Sequence, residues 1–135
     1  MSFMPNTLYD VIAETWPAAK LHRAGQWTIR DGQGGGKRVS AATADGSVQP
    51  IDIQQAESAM QELGQRPLFM LRDGEADLDA LLANAGYEMI DPTNLYQAPI
   101  ANIATQRPPR TSMFCIWEPL QIQYDIWAAG GITRP

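Results

Sequence analysis

The chain is poor in the side chains that carry most metal and nucleophilic chemistry. It has one cysteine, Cys115, and one histidine, His22. A lone cysteine excludes an internal disulfide and points to a reducing compartment. One thiol and one imidazole cannot furnish a zinc site of the common kind. A Ser-His-Asp triad could be built only around His22, which lies beside Lys20 and Arg23. Neighbouring cations oppose the proton-accepting role a base needs, and a solvated loop histidine is the plainer expectation. Cations are scarce too: 10 Lys and Arg stand against 15 Asp and Glu, for a net charge of −5. Tracking a phosphate backbone needs clustered Lys and Arg, so nucleic acid is not an expected partner. No apolar stretch approaches the ~20 residues of a spanning helix, so no membrane partner is expected. The start, Met1-Ser2-Phe3-Met4-Pro5-Asn6, lacks the basic-then-apolar pattern of a signal peptide, and the expected location is cytoplasmic.

What is present suits a folded α/β domain. The chain has 135 residues, 44% of them apolar and 19% charged, enough to bury roughly two-thirds of the unfolded surface. Thr7 to Trp16 reads as an amphipathic helix, with Thr7 and Asp10 spaced as a capping box and Leu8, Val11, Ile12 and Trp16 on one face. Trp27–Arg30 and Arg38–Thr43 read as a hairpin around the cluster Gly32-Gln33-Gly34-Gly35-Gly36. A second helix is expected from near Asp52, with Ile53, Ala56, Met60 and Leu63 inward and Gly64 at its end. Leu68-Phe69-Met70-Leu71 reads as a strand buried on both faces. Glu75 to Ala85 reads as a third helix, with Leu78, Leu81, Leu82 and Ala85 inward and Gly86 as its cap. Tyr87 to Ile100 reads as extended chain. Residues 101–112, with Arg107-Pro108-Pro109-Arg110, read as a linker. Beyond it, Met113-Phe114-Cys115-Ile116-Trp117 reads as a strand and Gln121–Ala129 as a helix capped by Gly130.

No catalytic constellation assembles from these residues. The glycine cluster fails as a P-loop because Gly36-Lys37 is followed by Arg38, and it fails as a dinucleotide fingerprint because a strand rather than a helix is expected next. Asp73, Glu75, Asp77 and Asp79 gather where carboxylates complement a helix dipole, without the ligand spacing of a metal loop. Cys115, between Phe114 and Ile116, reads as a small core side chain. Trp117, Ile122, Tyr124, Ile126 and Trp127 are candidate partner-interface residues, with packing into the domain's own core as the alternative.

Leu68–Leu71, the helix ending at Ala85, and Gly86-Tyr87 leading to Tyr96 resemble the strand, helix and Gly-aromatic pair of the GNAT acetyltransferases. The hairpin and the helix from Asp52 fit the elements before them. Trp117-Glu118-Pro119-Leu120-Gln121-Ile122-Gln123 and Ile126-Trp127-Ala128-Ala129-Gly130-Gly131-Ile132 resemble the entry to a second lobe in tandem-lobe bacterial members. The resemblance spans nearly the whole chain. It implies an α/β (α+β) fold with a mixed, mostly antiparallel sheet flanked by about three helices. Residues 1–100 would form the GNAT-like domain, 101–112 the linker and 113–135 the start of a second lobe.

Two departures bear on activity. The family holds the coenzyme A pyrophosphate on a glycine-rich loop before its central helix. The matching residues here, Ser47-Val48-Gln49-Pro50-Ile51-Asp52-Ile53, contain no glycine, lack one amide at Pro50 and add a carboxylate. The family's general-acid tyrosine corresponds to Leu82, which has no proton to give. The resemblance therefore implies a non-catalytic N-terminal lobe with no catalytic, cofactor or metal residues of its own. Acetyl-CoA would be bound in a complete family member by a second lobe that this chain does not contain. The expected partner is that lobe or, for a standalone interaction module, a second copy of this chain.

Overall fold

A computed structural model describes residues 5–132, with side-chain surroundings from Leu8 onward. The chain divides after Ile90 into two compact units. The first contains α1 (Pro5–Thr15), β1 (Lys20–Ala24), β2 (Trp27–Asp31), β3 (Thr43–Ala44), α2 (Pro50–Glu62) and α3 (Ala76–Asn84). The second contains α4 (Ile100–Ile103) and α5 (Gln121–Ala129). The fold is thus mixed α/β, with five α-helices and a three-stranded antiparallel sheet in the order β1-β2-β3 among the described residues.

The sheet differs from the hairpin read in the sequence. β2 pairs with β1 across the two-residue turn Gly25-Gln26, in the register Ala24↔Trp27 to Lys20↔Asp31. Gly25 takes φ +59°, which a side chain would resist. Lys20–Ala24 carries little β preference of its own. Pairing with β2, where alternate residues are apolar, makes it a strand. The expected second strand, Arg38–Thr43, is instead a 3₁₀ turn at Lys37–Val39 followed by β3, which pairs Thr43 with Thr28 and Ala44 with Trp27. Leu68–Leu71 is half-buried rather than buried on both faces. It meets the sheet through one parallel bridge, in which Ala42 N–H donates to the Leu68 carbonyl at 2.8 Å and Met70 N–H to the Ala42 carbonyl at 2.9 Å.

One face of this sheet builds the core. Trp27, Ile29, Ala42 and Ala44 lie against Ile53, Ala56 and Met60 of α2 and Leu78 and Leu82 of α3. The inward positions expected for both helices are filled as read, except that Leu63 and Leu81 are half-buried and Ala85 is exposed. Trp27, Ile29 and Met60 are the largest fully buried side chains, each contributing about 1.5–3 kcal/mol of apolar burial. Trp27, Phe69 and Tyr87 continue the core as an aromatic row, at centroid spacings of 5.0 Å and 5.0 Å. Both helices stop at a left-handed glycine, Gly64 (φ +71°) and Gly86 (φ +91°).

α1 begins two residues before Thr7, so Thr7 is not its cap, and the side chain of Thr7 lies outside the described residues. Leu8 and Ile12 of its apolar face are half-buried, whereas Val11 and Trp16 are exposed. The Tyr9 hydroxyl accepts a bond from the Asp73 N–H at 2.9 Å, and the Arg38 guanidinium lies 5.8 Å from the Trp16 ring centre.

In the second unit, Met113–Trp117 is irregular and exposed rather than a strand. It has the right residues but no ladder partner among the described residues, and a strand without a ladder has nothing to hold it extended. α5 spans the residues read from the sequence. Gly130 closes it with a right-handed φ of −85°, and Gly131 takes the left-handed turn instead. Residues 133–135 lie outside the described residues. No described helix is long and apolar enough to cross a membrane.

Candidate functional site

The opposite face of the sheet is polar. β2 alternates, so while Trp27 and Ile29 enter the core, Thr28 and Arg30 face away from it. The register places Arg23 beside Thr28 and Leu21 beside Arg30 on that face. Arg30 is half-buried, and its Nη1 donates to the Ala41 carbonyl at 2.9 Å and to Thr43 Oγ1 at 3.0 Å. Asp45 Oδ2 accepts from Thr28 Oγ1 at 2.7 Å and pairs with Arg23 Nη1 at 3.2 Å. Arg72 donates through Nη2 to the Ala44 carbonyl. Its Nη2 and Nε also meet Glu75 Oε1 at 2.7 Å and 3.0 Å, while its backbone N–H donates to Glu75 Oε2 at 2.6 Å. Burial, and then the charge of Arg72, hold the Arg30 guanidinium below the usual arginine range, with Asp45 acting the other way.

The chemistry of this cluster is mechanical. Three guanidinium groups and two carboxylates bind strand ends to the start of α3. Its signals in the sequence were slight: the alternation of Thr28 and Arg30 with buried residues, and the Arg72–Glu75 spacing just ahead of a helix. Charges at such positions read equally well as solvated surface.

His22 lies on β1 rather than in a loop. It is exposed, and its register partner is Ile29. The glycine-rich segment closes on itself and on Gln65. Gly35 N–H donates to the Gly32 carbonyl at 2.7 Å, and Ser40 Oγ to the Gly36 carbonyl at 2.8 Å. Gln65 Oε1 accepts from Gly32 N–H at 2.7 Å, while its Nε2 donates to the Arg30 carbonyl at 2.8 Å. The buried Val39 anchors the segment from below. Of the acidic group around α3, Glu75 is held by Arg72. Among the described residues no three His, Cys, Asp or Glu stand together so as to hold a metal ion. Cys115 is exposed and not a core side chain, because the strand expected to bury it is not formed.

The interface candidates are only partly brought together. On α5, Tyr124 and Trp127 stack edge to face at 5.6 Å and 89°. Ile122 and Ile126 sit one turn apart and both are exposed. Trp117 is 96% exposed. The surrounding chain adds Leu95, Tyr96, Ile100, Met113 and Phe114, all exposed.

Elsewhere, the Tyr87 hydroxyl donates to Glu57 Oε1 at 2.6 Å. Burial, then that bond and the carboxylate's charge, push the phenol above its ordinary range.

Compared with known proteins, the chain matches no family model, no curated protein and no solved structure.

Proposed function

We propose that this chain is a non-catalytic protein-binding lobe that docks on its partner through the apolar side chains of residues 91–132. The observation that carries this reading is that every residue from 88 to 122 is exposed, although the stretch is rich in isoleucine and aromatic residues. Apolar side chains left in water along so much of one stretch suit a surface that another protein covers. The family resemblance supplies the partner: a second, acetyl-CoA-binding GNAT lobe that transfers an acetyl group to an amine, with this lobe supporting or shaping the acceptor site.

The start of α2 supports the non-catalytic part of that reading. Pro50 has no N–H to offer, and the carboxylate of Asp52 accepts the Gln49 N–H at 2.8 Å. A diphosphate there would meet a carboxylate in place of free amides, so these residues do not fit coenzyme A. Calorimetric titration of this chain with acetyl-CoA is expected to show no saturable heat. Micromolar binding would overturn the proposal.

A second reading is self-association through α5, favoured by the outward Ile122 and Ile126 next to the Tyr124–Trp127 pair. Light scattering on the purified chain separates the two: a stable dimer that Ile126→Ser dissolves establishes the second reading, and a monomer leaves the first.

A further inference from the structure

The free edge of the sheet stands apart from the acyltransferase reading. Among the described residues β1 is hydrogen-bonded only to β2, which leaves its other side open. The two-residue turn makes Ala24 and Trp27 the closing hydrogen-bonded pair. Alternation along an antiparallel ladder then directs Ala24, His22 and Lys20 toward β2, and the N–H and C=O groups of Leu21 and Arg23 outward. Ala19 N–H also donates to the Asp31 carbonyl, at 3.0 Å, which keeps the start of the strand fixed to its neighbour. Every β1 residue except Ala24 is exposed.

The side chains on this edge run against the rest of the molecule. Lys20, His22 and Arg23 fall within one five-residue strand of a chain whose net charge is −5. Charge on an edge strand discourages pairing with a copy of itself. Here, β1 against β1 would bring lysine, histidine and arginine beside the same three residues, so a second copy is the wrong occupant. Protection alone does not account for Leu21, which is 66% exposed and lies on the opposite face of the strand from Lys20 and His22. Basic side chains on one face and an apolar one on the other, beside unpaired backbone groups, are a reading pattern for an added strand: the ladder gives affinity, and alternate side chains give selectivity.

We propose that β1 is the docking edge for an acidic, extended peptide segment of a partner protein, which adds as a fourth strand and sets carboxylates beside Lys20 and His22 on one face and an apolar residue beside Leu21 on the other. The test uses the full chain and two fluorescent peptides, one alternating glutamate with valine and one alternating lysine with valine, read by anisotropy. The glutamate peptide is expected to bind about tenfold tighter or better, and to weaken as salt is added. Leu21→Pro removes an outward N–H that β2 does not use, and is expected to weaken binding about tenfold while the circular dichroism stays native. Lys20→Glu, which leaves the ladder intact, is expected to abolish the preference for the glutamate peptide. Equal affinity for the two peptides, or an unchanged preference in Lys20→Glu, overturns the proposal. If Leu21→Pro does not fold, slowed hydrogen exchange at the Leu21 and Arg23 amides on binding the glutamate peptide replaces it, and unchanged exchange there is equally decisive against it.

Discussion

The indole N–H of Trp27 donates to the backbone carbonyl of Asp52 at 2.8 Å, joining the start of β2 to the first turn of α2. The Asp52 carboxylate meanwhile accepts the Gln49 N–H, so one residue fixes both the start of the helix and its seat on the sheet. Trp27→Phe keeps an aromatic ring but loses the donor and leaves a void in a fully buried position. The expected loss is about 2–3 kcal/mol in urea unfolding. A loss below about 0.5 kcal/mol would show that the bond does not organise the core.

Gln65 is expected to govern the glycine-rich segment. Its amide accepts from Gly32 N–H and donates to the Arg30 carbonyl, from more than thirty residues away along the chain. Gln65→Leu keeps the bulk and removes both bonds, leaving the buried Gly32 amide without its acceptor. Stability should fall by about 1–3 kcal/mol. Hydrogen exchange should quicken at Gly32 more than at the α2 amides. Uniform quickening would assign Gln65 a merely global role.

The helices were legible because their signals are local. Ile53, Ala56 and Met60 repeat at helical spacing, and Gly64 and Gly86 mark ends that the backbone enforces with positive φ. The sheet was less legible because its strands form through partners. Lys20–Ala24 has weak β preference and pairs anyway, whereas Met113–Trp117 has strong preference and remains irregular. The polar cluster was hidden for a related reason. Arg30, Asp45 and Arg72 are far apart in sequence, and only the folded sheet brings them to one face.

Tyr87 gives a pH prediction with a definite sign. Its phenol is raised in the folded state, so the folded chain holds that proton where the unfolded chain has lost it. The stabilisation is therefore complete below the ordinary phenol value of about 10 and declines as pH rises past it. Thermal unfolding between pH 8 and 11 should show a steeper fall for the natural chain than for Tyr87→Phe. Parallel curves would mean that burial and the bond to Glu57 do not distinguish the two states.

Arg72 and Glu75 form a pair whose side chains are 29% and 20% exposed, sheltered more than an ordinary surface ion pair. Arg72 also reaches the Ala44 carbonyl, so it links β3 to the start of α3. A double-mutant cycle with Arg72→Met and Glu75→Gln isolates the pair from that second bond. The expected coupling is about 1 kcal/mol, reduced by high salt. A coupling near zero would leave the Ala44 bond as the useful part of Arg72.

Trp117 makes the complementary case, because almost its entire side chain is exposed. A residue that touches so little cannot contribute much to folding, so Trp117→Ser should leave urea unfolding within about 0.5 kcal/mol of the natural chain. If residues 91–132 dock on a protein, the same substitution removes one of the aromatic anchors that dominate interface energies, and affinity for a purified acetyl-CoA-binding lobe should fall at least about thirtyfold, corresponding to about 2 kcal/mol. The two measurements together discriminate: unchanged stability with lost binding supports the docking role, whereas lost stability shows that Trp117 packs within its own chain in solution. Unchanged values in both would mean that the exposed aromatic is not the surface the partner reads.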